Sequence, residues 1–365
     1  MIKKLDLYIL KRFLSRVLFL IIAITSIIIL TNFVETIDDF IEAGLSNGQI
    51  VDYYLLFLPM IISYAVPMAM TIGSVLLVLS YIKNNELIAI RALGVNYFRF
   101  SVIMVLFSMI ISIAQFYFEN SIVSNSNHLK NKFEKKYGIN VKKNKQNNKK
   151  ITNFIEDLES NKSIIINSYN NKEKIANNVI IREINTDNNI TNRYDAKELK
   201  WNENLQKWDC SELIYRNWQD DNFNFQKTIK DTSVFLNNIT PVYLIAELIS
   251  PEEMNYFELK EFIDIKKKNS IDTTNWEVDL HHKVSYIFSS IILTIAAIIV
   301  SLIFKNSNTS YGIGLSIVII ALYYTILIIS KNLGLEGVLD PISSAWMANI
   351  SFTFIILFFY KKYIF

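Results

Sequence analysis

The chain has 365 residues, of which 51% are hydrophobic, with a mean hydropathy of +0.25 and a net charge of +3. It is too apolar for an ordinary soluble protein and too polar for one embedded wholly in lipid, so a membrane part and a soluble part are expected. The single Cys210 excludes an intramolecular disulfide, and with only three histidines beside it we expect no metal site and no cofactor. The lysines cluster in an Asn/Lys-rich tract without base-reading geometry, so no nucleic-acid partner is expected.

Six apolar runs predict membrane-spanning helices, three before a polar middle segment and three after it. Each run is long enough, with its flanks, to cross a hydrocarbon core of about 30 Å. The runs are 17–33, 53–80, 101–118, 284–304, 311–330 and 342–360. The predicted organisation is therefore a first membrane part at 1–124, an inserted domain at 125–280 and a second membrane part at 281–365.

The six runs contain no Asp, Glu, Lys, Arg or His. Ion-coupled carriers keep ionisable groups near the membrane midplane, so this composition argues against a secondary transporter. An apolar interior is better suited to an amphipathic lipid than to a sugar or an ion.

Between residues 151 and 248 the middle segment changes to short β-type runs separated by Asn and Asp turns, with strands predicted at 163–166, 178–184, 190–200, 207–215, 223–227 and 232–236. Strands at this spacing predict an antiparallel sandwich or a jelly roll. Trp201 and Trp208 are predicted to flank a loop between two strands. A helix is predicted from Pro251 to about Lys268, because Pro at the first position and acids in the first turn favour a helix start. The alternative interpretation of the whole segment is a passive spacer.

The basic residues near the apolar runs predict the orientation of the chain. Eleven lie on one side, whereas the short loops of the other side hold only Lys331. Because Lys and Arg are enriched in cytoplasmic loops, both termini and the 81–100 segment are predicted to be cytoplasmic, with the inserted domain outside. The eleven are Lys3, Lys4, Lys11, Arg12, Arg16, Lys83, Arg91, Arg99, Lys305, Lys361 and Lys362.

The segment 81–100, YIKNNELIAIRALGVNYFRF, lies between the second and third runs and predicts a short amphipathic helix. Asn85 can cap it, Glu86 suits its first turn, and Gly94 can end it. Leu87 and Ile90 give it an apolar side. Such a helix joined to two spans can dock in a groove on a soluble partner, or it can lie on the lipid surface.

No P-loop, nucleophile elbow or zinc-protease motif is present in the sequence. We therefore expect a subunit that is not an enzyme, energised by a separate ATPase that docks on the cytoplasmic helix.

The sequence resembles the LptF/LptG permease subunits of the lipopolysaccharide-transport ABC exporter. The resemblance covers nearly the whole chain and is sharpest in NNELIAIRALGV (84–95), in the proline-containing second span and in LGLEGVLDPISSAWMAN (333–349). The last segment and the Trp201/Trp208 strands favour a G-type subunit over an F-type subunit.

The resemblance implies a periplasmic β-jelly roll, a heterodimer with a sister permease, a cytoplasmic ATPase dimer, periplasmic bridge proteins and lipopolysaccharide as substrate, in the bacterial inner membrane. The 83–95 helix would be the coupling helix, and a gate of the substrate cavity would lie at the outer end of the first span. The implied ATPase-coupling residues are Asn85, Glu86, Leu87, Ile90, Arg91 and Gly94. The implied cavity or gate residues are Asn32, Phe33, Thr36, Asp38 and Asp39.

One departure concerns the outer end of the first span. Family members often carry lysines there, placed for lipid A phosphates, whereas residues 32–39 read NFVETIDD in this chain. Divalent cations could bridge these acids to phosphates, or the sister permease could supply the bases. Two alternative functions remain open: a permease of another lipid or lipoprotein exporter, and a membrane-anchored scaffold protein.

Overall fold

The computed structural model describes residues 4–92, 97–139, 154–158, 162–170, 173–185, 189–203, 207–219, 222–234, 250–268, 272–304 and 309–363, with residues 205, 239, 241 and 244 between them. The chain divides into two compact units. The first comprises residues 1–139, 251–256 and 274–365, and the second comprises residues 140–250 and 257–273.

The first unit is helical. Its helices are α1 (Lys4–Glu42), α2 (Asn47–Lys83), α3 (Glu86–Ala92), α4 (Tyr97–Phe118), a π-helical turn (Glu119–Val123), α5 (Ser124–Tyr137), α7 (Thr274–Ile287), α8 (Ser289–Ile303), α9 (Thr309–Leu335) and α10 (Pro341–Tyr363). α6 (Tyr256–Lys268) belongs to the second unit except for its first residue.

Five of the described helical stretches are long and apolar enough to cross a membrane, at residues 4–42, 47–83, 101–137, 310–335 and 341–361. A sixth candidate consists of α7 and α8, which meet at a bend of 44°. The bend falls at Phe288, where a tighter backbone turn replaces the regular helix. The predicted class, a helical membrane protein with an inserted β domain, is therefore confirmed, and the bent pair α7 and α8 is the candidate for the fourth predicted span.

α2 is the central helix of the first unit. Its buried face contacts α1, α4 and α8 through a core that includes Phe13, Met70, Leu77, Met104 and Ile298. α1, in contrast, leaves large apolar side chains exposed, such as Phe19 (70%) and Ile22 (68%). An apolar face of this kind on a spanning helix is suited to lipid or to another membrane protein.

The kink-forming Pro67 in α2 is accommodated by a neighbouring helix. Proline has no N–H, so the carbonyl oxygen of Ser63 loses its normal helical donor. Gln115 of α4 donates from Nε2 to that carbonyl oxygen at 3.2 Å, and its own Oε1 accepts from Ser290 of α8 at 3.2 Å. This polar link between three helices satisfies a group that lipid could not.

The second unit contains one antiparallel sheet of six described strands in the order β1–β2–β3–β4–β5–β6. The strands are β1 (Phe154–Leu158), β2 (Lys162–Asn170), β3 (Ile175–Ile184), β4 (Ile190–Asn202), β5 (Lys207–Gln219) and β6 (Asn222–Val234). The described strands follow one another as a meander, and the jelly roll stays a prediction.

One face of the sheet is apolar because the register aligns buried residues across the strands. Ile166 pairs with Val179, Val179 with Ala196, and Ala196 with Leu213, and all four are buried. Trp201 pairs with Trp208 across the β4–β5 hairpin, which confirms the predicted loop. Trp208 is fully buried and donates from its indole N–H to the carbonyl oxygen of Ile239 at 2.7 Å.

Three details of the second unit differ from the sequence prediction. β1 was missed because its five residues include two acids, which weaken a strand pattern. The two short runs predicted between 223 and 236 form the single strand β6. α6 begins at Tyr256, whereas residues 251–253 form a turn, so the prediction of a helix start at Pro251 was wrong.

Candidate functional site: a docking helix and a polar cavity

α3 is a separate seven-residue helix that follows α2 after a two-residue break. The break is made by Asn84, which ends α2, and by Asn85, whose φ of 58° lies in the left-handed region that asparagine tolerates better than most residues. Glu86 occupies the first turn as the sequence predicts. Gly94 lies outside the described residues.

The apolar side of α3 is turned toward the chain's own spans. Leu87 and Ile90 are buried, with 5% and 8% exposure, in the core that α2 shares with α1 and α4. The opposite side leaves Ile88 (64%), Ala89 and Ala92 in the open. Any partner of α3 must therefore contact this second side, and Leu87 and Ile90 act by seating the helix.

Glu86 is held by Arg12 of α1. Arg12 donates from Nη1 to both carboxylate oxygens, at 3.0 and 2.9 Å. The same guanidinium lies 4.6 Å from the ring centroid of Tyr8 and 5.4 Å from that of Tyr81, within the range of cation–π attraction. Partial burial alone would raise the pKa of Glu86, but hydrogen bonds from Arg12 and Asn84 outweigh it and lower the pKa. The carboxylate is therefore ionised at neutral pH.

A cavity of about 490 Å³ lies within the first unit, and no residue of α3 lines it. Its size falls within the range of about 300–1,000 Å³ that is typical of ligand sites. Residues of α1, α2, α4, the π-helical turn, α5, α7 and α9 line it, together with the 251–252 turn. Its apolar lining includes Ile28, Met60, Met68, Phe116 and Leu327.

The polar lining of the cavity comprises Glu119, Glu252, Asp279, Lys283 and Lys331, together with His282 and several tyrosines and asparagines. Lys331 forms an ion pair with Asp279 at 2.8 Å, and Ser63 donates to the Glu119 carboxylate. Ionisable groups placed between spanning helices are costly and face a cavity or one another, so they mark candidate functional sites.

The sequence reasoning did not assemble this polar group. Its members lie just beyond the ends of three apolar runs and in the 251–252 turn, so each one resembles an ordinary interfacial residue. The available signal was that opposite charges sit at the ends of several spans on the same side. The π-helical turn, which no sequence rule predicts, places Glu119 and Asn120 in the lining.

The residues predicted for the gate lie outside the lining of this cavity. Tyr54 donates to Asn32 at 3.2 Å, Phe33 packs on the ring of Tyr54, and Thr36 is buried. Asp38 is exposed and Asp39 half-buried farther along α1. Their role at a gate with a second permease stays a prediction.

A family model of the lipopolysaccharide export system permease LptF/LptG matches residues 7–362. The chain belongs to the LptF/LptG family. Comparison with curated proteins gave no match. The LptF/LptG match spans both membrane parts and the inserted domain, so the two units described above form one family architecture. The chain is accordingly a multi-pass membrane protein of a permease family involved in lipopolysaccharide export.

Within this LptF/LptG chain, α3 and the cavity lie at different levels of α2. α3 follows the last residue of α2, whereas the cavity is lined by Met60, Tyr64 and Met68 of its first half and middle. Because helices rise about 1.5 Å per residue, Met60 and Lys83 are separated by roughly 35 Å along the axis. The two sites are therefore linked through the spanning helices.

Proposed function

We propose that this chain is a permease subunit of an ATP-driven exporter that extracts lipopolysaccharide from the inner membrane and passes it to a periplasmic bridge. The observation that carries the proposal is the LptF/LptG family match over residues 7–362. The proposed complex contains a sister permease, a cytoplasmic ATPase dimer and periplasmic bridge proteins. The hairpin at Trp201 and Trp208, with the 333–349 segment, favours the G-type position.

The proposed contact with the ATPase is the open side of α3. Ile88, Ala89 and Ala92 offer a small apolar surface on a helix whose buried side is fixed to the spans. Rigid seating of this kind allows movement of the ATPase to be transmitted to α1 and α2. Glu86 and Arg91 would add charge to this contact, with Asn85 and Gly94 shaping the two ends of the helix.

The proposed contact with the sister permease is the exposed apolar face of α1. Phe19, Ile22 and Leu30 are each more than 60% exposed on this helix. Asn32, Phe33, Thr36, Asp38 and Asp39 continue α1 beyond this face and are proposed as gate residues. The apolar face of the β-sheet would then receive acyl chains outside the membrane, with the second unit in the periplasm.

The test is co-purification of the full chain with its ATPase and sister permease, followed by ATP-dependent release of lipopolysaccharide from proteoliposomes. Ile88→Glu places a charge in the proposed apolar contact and should weaken ATPase association at least tenfold, about 1.4 kcal/mol. Ile41→Glu is the matched control, because Ile41 is similarly exposed (71%) at the far end of α1. Normal ATPase association of the Ile88→Glu variant would contradict this docking surface, and absence of any ATPase from the purified complex would contradict the function.

A further inference from the structure

The polar lining of the cavity carries no excess of positive charge. Three carboxylates (Glu119, Glu252 and Asp279) face two lysines (Lys283 and Lys331). A site built for a polyanion would hold an excess of cations, because each bound phosphate needs compensation. If His282 is counted as neutral, this lining instead has three carboxylates and two ammonium groups, which leaves one negative charge in excess.

Three of these five charged groups already have a partner within the chain. Lys331 and Asp279 are paired at 2.8 Å, which neutralises both. Glu119 accepts a hydrogen bond from Ser63, deep between α2 and the π-helical turn. These three groups therefore form the fixed polar wall of the cavity.

Two charges of opposite sign remain for a ligand. Across the part of the chain that the structure describes, the Lys283 ammonium makes no close ion pair or hydrogen bond, although the carboxylates of Glu119, Asp279 and Glu252 lie near enough to attract it. The exposed carboxylate of Glu252 makes no close ion pair or hydrogen bond either. His282 Nε2 and Asn127 Oδ1 are buried without a described hydrogen-bond partner in the same lining. The cavity thus offers one cation, one anion and two neutral polar atoms.

The lining is also graded from polar to apolar. Asp279 on α7 and Lys331 on α9 lie toward the helix ends remote from α3, and Glu252 lies in the 251–252 turn. Tyr286 and Tyr324 lie farther along α7 and α9 toward the membrane interior, and Met68 of α2 adds to the apolar part of the lining. A ligand with a charged head and an apolar tail matches this gradient. A soluble ion or sugar would leave the apolar part of the lining unused.

We propose that the cavity binds the head group of a membrane lipid that carries one anionic group beside a primary amine. Lys283 binds the phosphate or carboxylate, and Glu252 accepts from the ammonium group. The Asp279–Lys331 pair keeps a second positive charge from attracting a polyanion. The proposal rests on the proposed lipid export and deepens it by assigning the class of head group, which a phosphoethanolamine-bearing glycolipid and a phosphatidylethanolamine share.

The experiment measures lipids retained by the purified full chain by native mass spectrometry. Phosphatidylethanolamine and N-acetyl-phosphatidylethanolamine are matched probes, since they share the phosphate and differ in the amine. Two further probes are lipid A with bare phosphates and lipid A with phosphoethanolamine-capped phosphates. The amine-bearing member of each pair should be retained at least tenfold better, and retention of only the capped lipid A would support the proposal and assign the head group to the glycolipid.

Substitutions of Glu252 and Lys283 test which part of the head group each side chain binds. Glu252→Gln should reduce the preference for the amine to less than twofold, whereas Lys283→Gln should lower retention of all four probes about tenfold. Asp279→Asn releases Lys331 and should raise retention of bare lipid A several-fold. Glu336→Gln and Lys11→Gln are matched controls, because both side chains are exposed and outside the lining, and neither should change retention.

Two results would overturn the proposal: tighter retention of bare lipid A than of the amine-bearing lipids, or retention unaffected by both Lys283→Gln and Glu252→Gln. These results differ from a failure of the proposed function. A chain that binds its ATPase but shows no amine preference disproves only the head-group assignment. A chain that prefers amine-bearing lipids without binding an ATPase disproves the exporter and keeps the cavity assignment.

Discussion

Arg12 of α1 and Glu86 of α3 are 74 residues apart in sequence, yet one guanidinium nitrogen contacts both carboxylate oxygens, at 3.0 and 2.9 Å. The pair joins the first span directly to the docking helix. Arg16, one turn further along α1, adds a hydrogen bond to Ser80 of α2 at 3.0 Å. Any movement imposed on α3 is therefore passed to α1 as well as to α2.

The first prediction separates this internal role of Glu86 from a contact with a basic residue of the ATPase. Arg12→Glu and Glu86→Arg should each reduce ATP-driven lipid release about tenfold, because like charges then face each other. The double variant should restore release to within about threefold of wild type. Stability should change by no more than about 1 kcal/mol, since both side chains are partly exposed (37% and 27%).

The control for the first prediction is ATPase co-purification with each variant. If Glu86 binds the ATPase, the double variant stays defective in association, because the acidic side chain is still missing from α3.

The lowered pKa of Glu86 also sets the pH range over which the Arg12–Glu86 pair stabilises the fold. A depressed carboxyl pKa gives stabilisation that is complete above the ordinary value of about 4.3 and is lost as the pH falls through the lowered pKa. The contribution of the Arg12–Glu86 pair to ATP-driven lipid release should thus be unchanged between pH 6 and 8.

The second prediction concerns the polar link at Pro67. Gln115→Leu removes the donor to the Ser63 carbonyl oxygen, and an unsatisfied buried acceptor costs about 1–3 kcal/mol. In a Pro67→Ala background the new backbone N–H at position 67 can supply that bond, so the same change should cost clearly less. Thermal unfolding of the purified variants measures both costs. Equal destabilisation in the two backgrounds would show that the link does not compensate for the proline.

The membrane-spanning helices could be predicted from the sequence, because a long apolar run that crosses lipid has few alternative backbone structures to a helix. The helix α3 could be predicted for a similar reason, since polar residues between two spans must lie at the membrane surface. Its orientation was not predictable: the stripe containing Leu87 and Ile90 was equally suited to a partner, to lipid or to the chain's own core. Only packing against Phe13 and Met104 decides between them.

The cavity could not be predicted because it depends on tertiary structure. Lys283 and Lys331 are 48 residues apart, and Glu119 reaches the site only through a π-helical turn. The strand β6 was divided in two because a run of polar residues interrupts its pattern near Lys230. Pairing with β5 over its full length overrides that local weakness.

The third prediction concerns Cys210 in β5. The thiol is 3% exposed, burial raises its pKa, and its Sγ lies 2.9 Å from the carbonyl oxygen of Glu212. The reactive thiolate is therefore scarcer than in a free cysteine at neutral pH. Less than about a tenth of the native chain should react with a hydrophilic maleimide in the time that labels the unfolded chain completely. Rapid labelling of the folded chain would show that this part of the sheet opens.

The fourth prediction is the orientation in the membrane. In a Cys210→Ser background, Glu173→Cys lies in an exposed turn of the second unit, and Lys83→Cys is exposed at the end of α2. An impermeant maleimide added to spheroplasts should label the first position, and should label the second only after lysis, because the basic loops are expected to be cytoplasmic. The reverse result would invert the assignment.

The last prediction concerns the acids at the end of α1. Glu35, Asp38, Asp39 and Glu42 recur at helical spacing and so share one face, with Asp38 exposed and Asp39 half-buried. Two like charges 4 Å apart repel by about 1 kcal/mol in water and about 4 kcal/mol at an effective dielectric constant of 20. If these residues line the gate, the variant Asp38→Asn with Asp39→Asn should need about two- to tenfold less bare lipid A for half-maximal stimulation of ATP hydrolysis. The effect should shrink in 0.5 M salt, where screening is stronger.

Asp52→Asn is the matched control for this prediction, because Asp52 is an exposed aspartate that belongs to α2 and not to the acidic face of α1. Calcium bridging gives the opposite result: the double variant loses stimulation, and a calcium-selective chelator abolishes it in the wild type while magnesium still supports ATP hydrolysis. No change under either condition would place Asp38 and Asp39 outside the path of the lipid. The sign of the change therefore decides whether the acids repel the head group, hold it through a cation, or only face water.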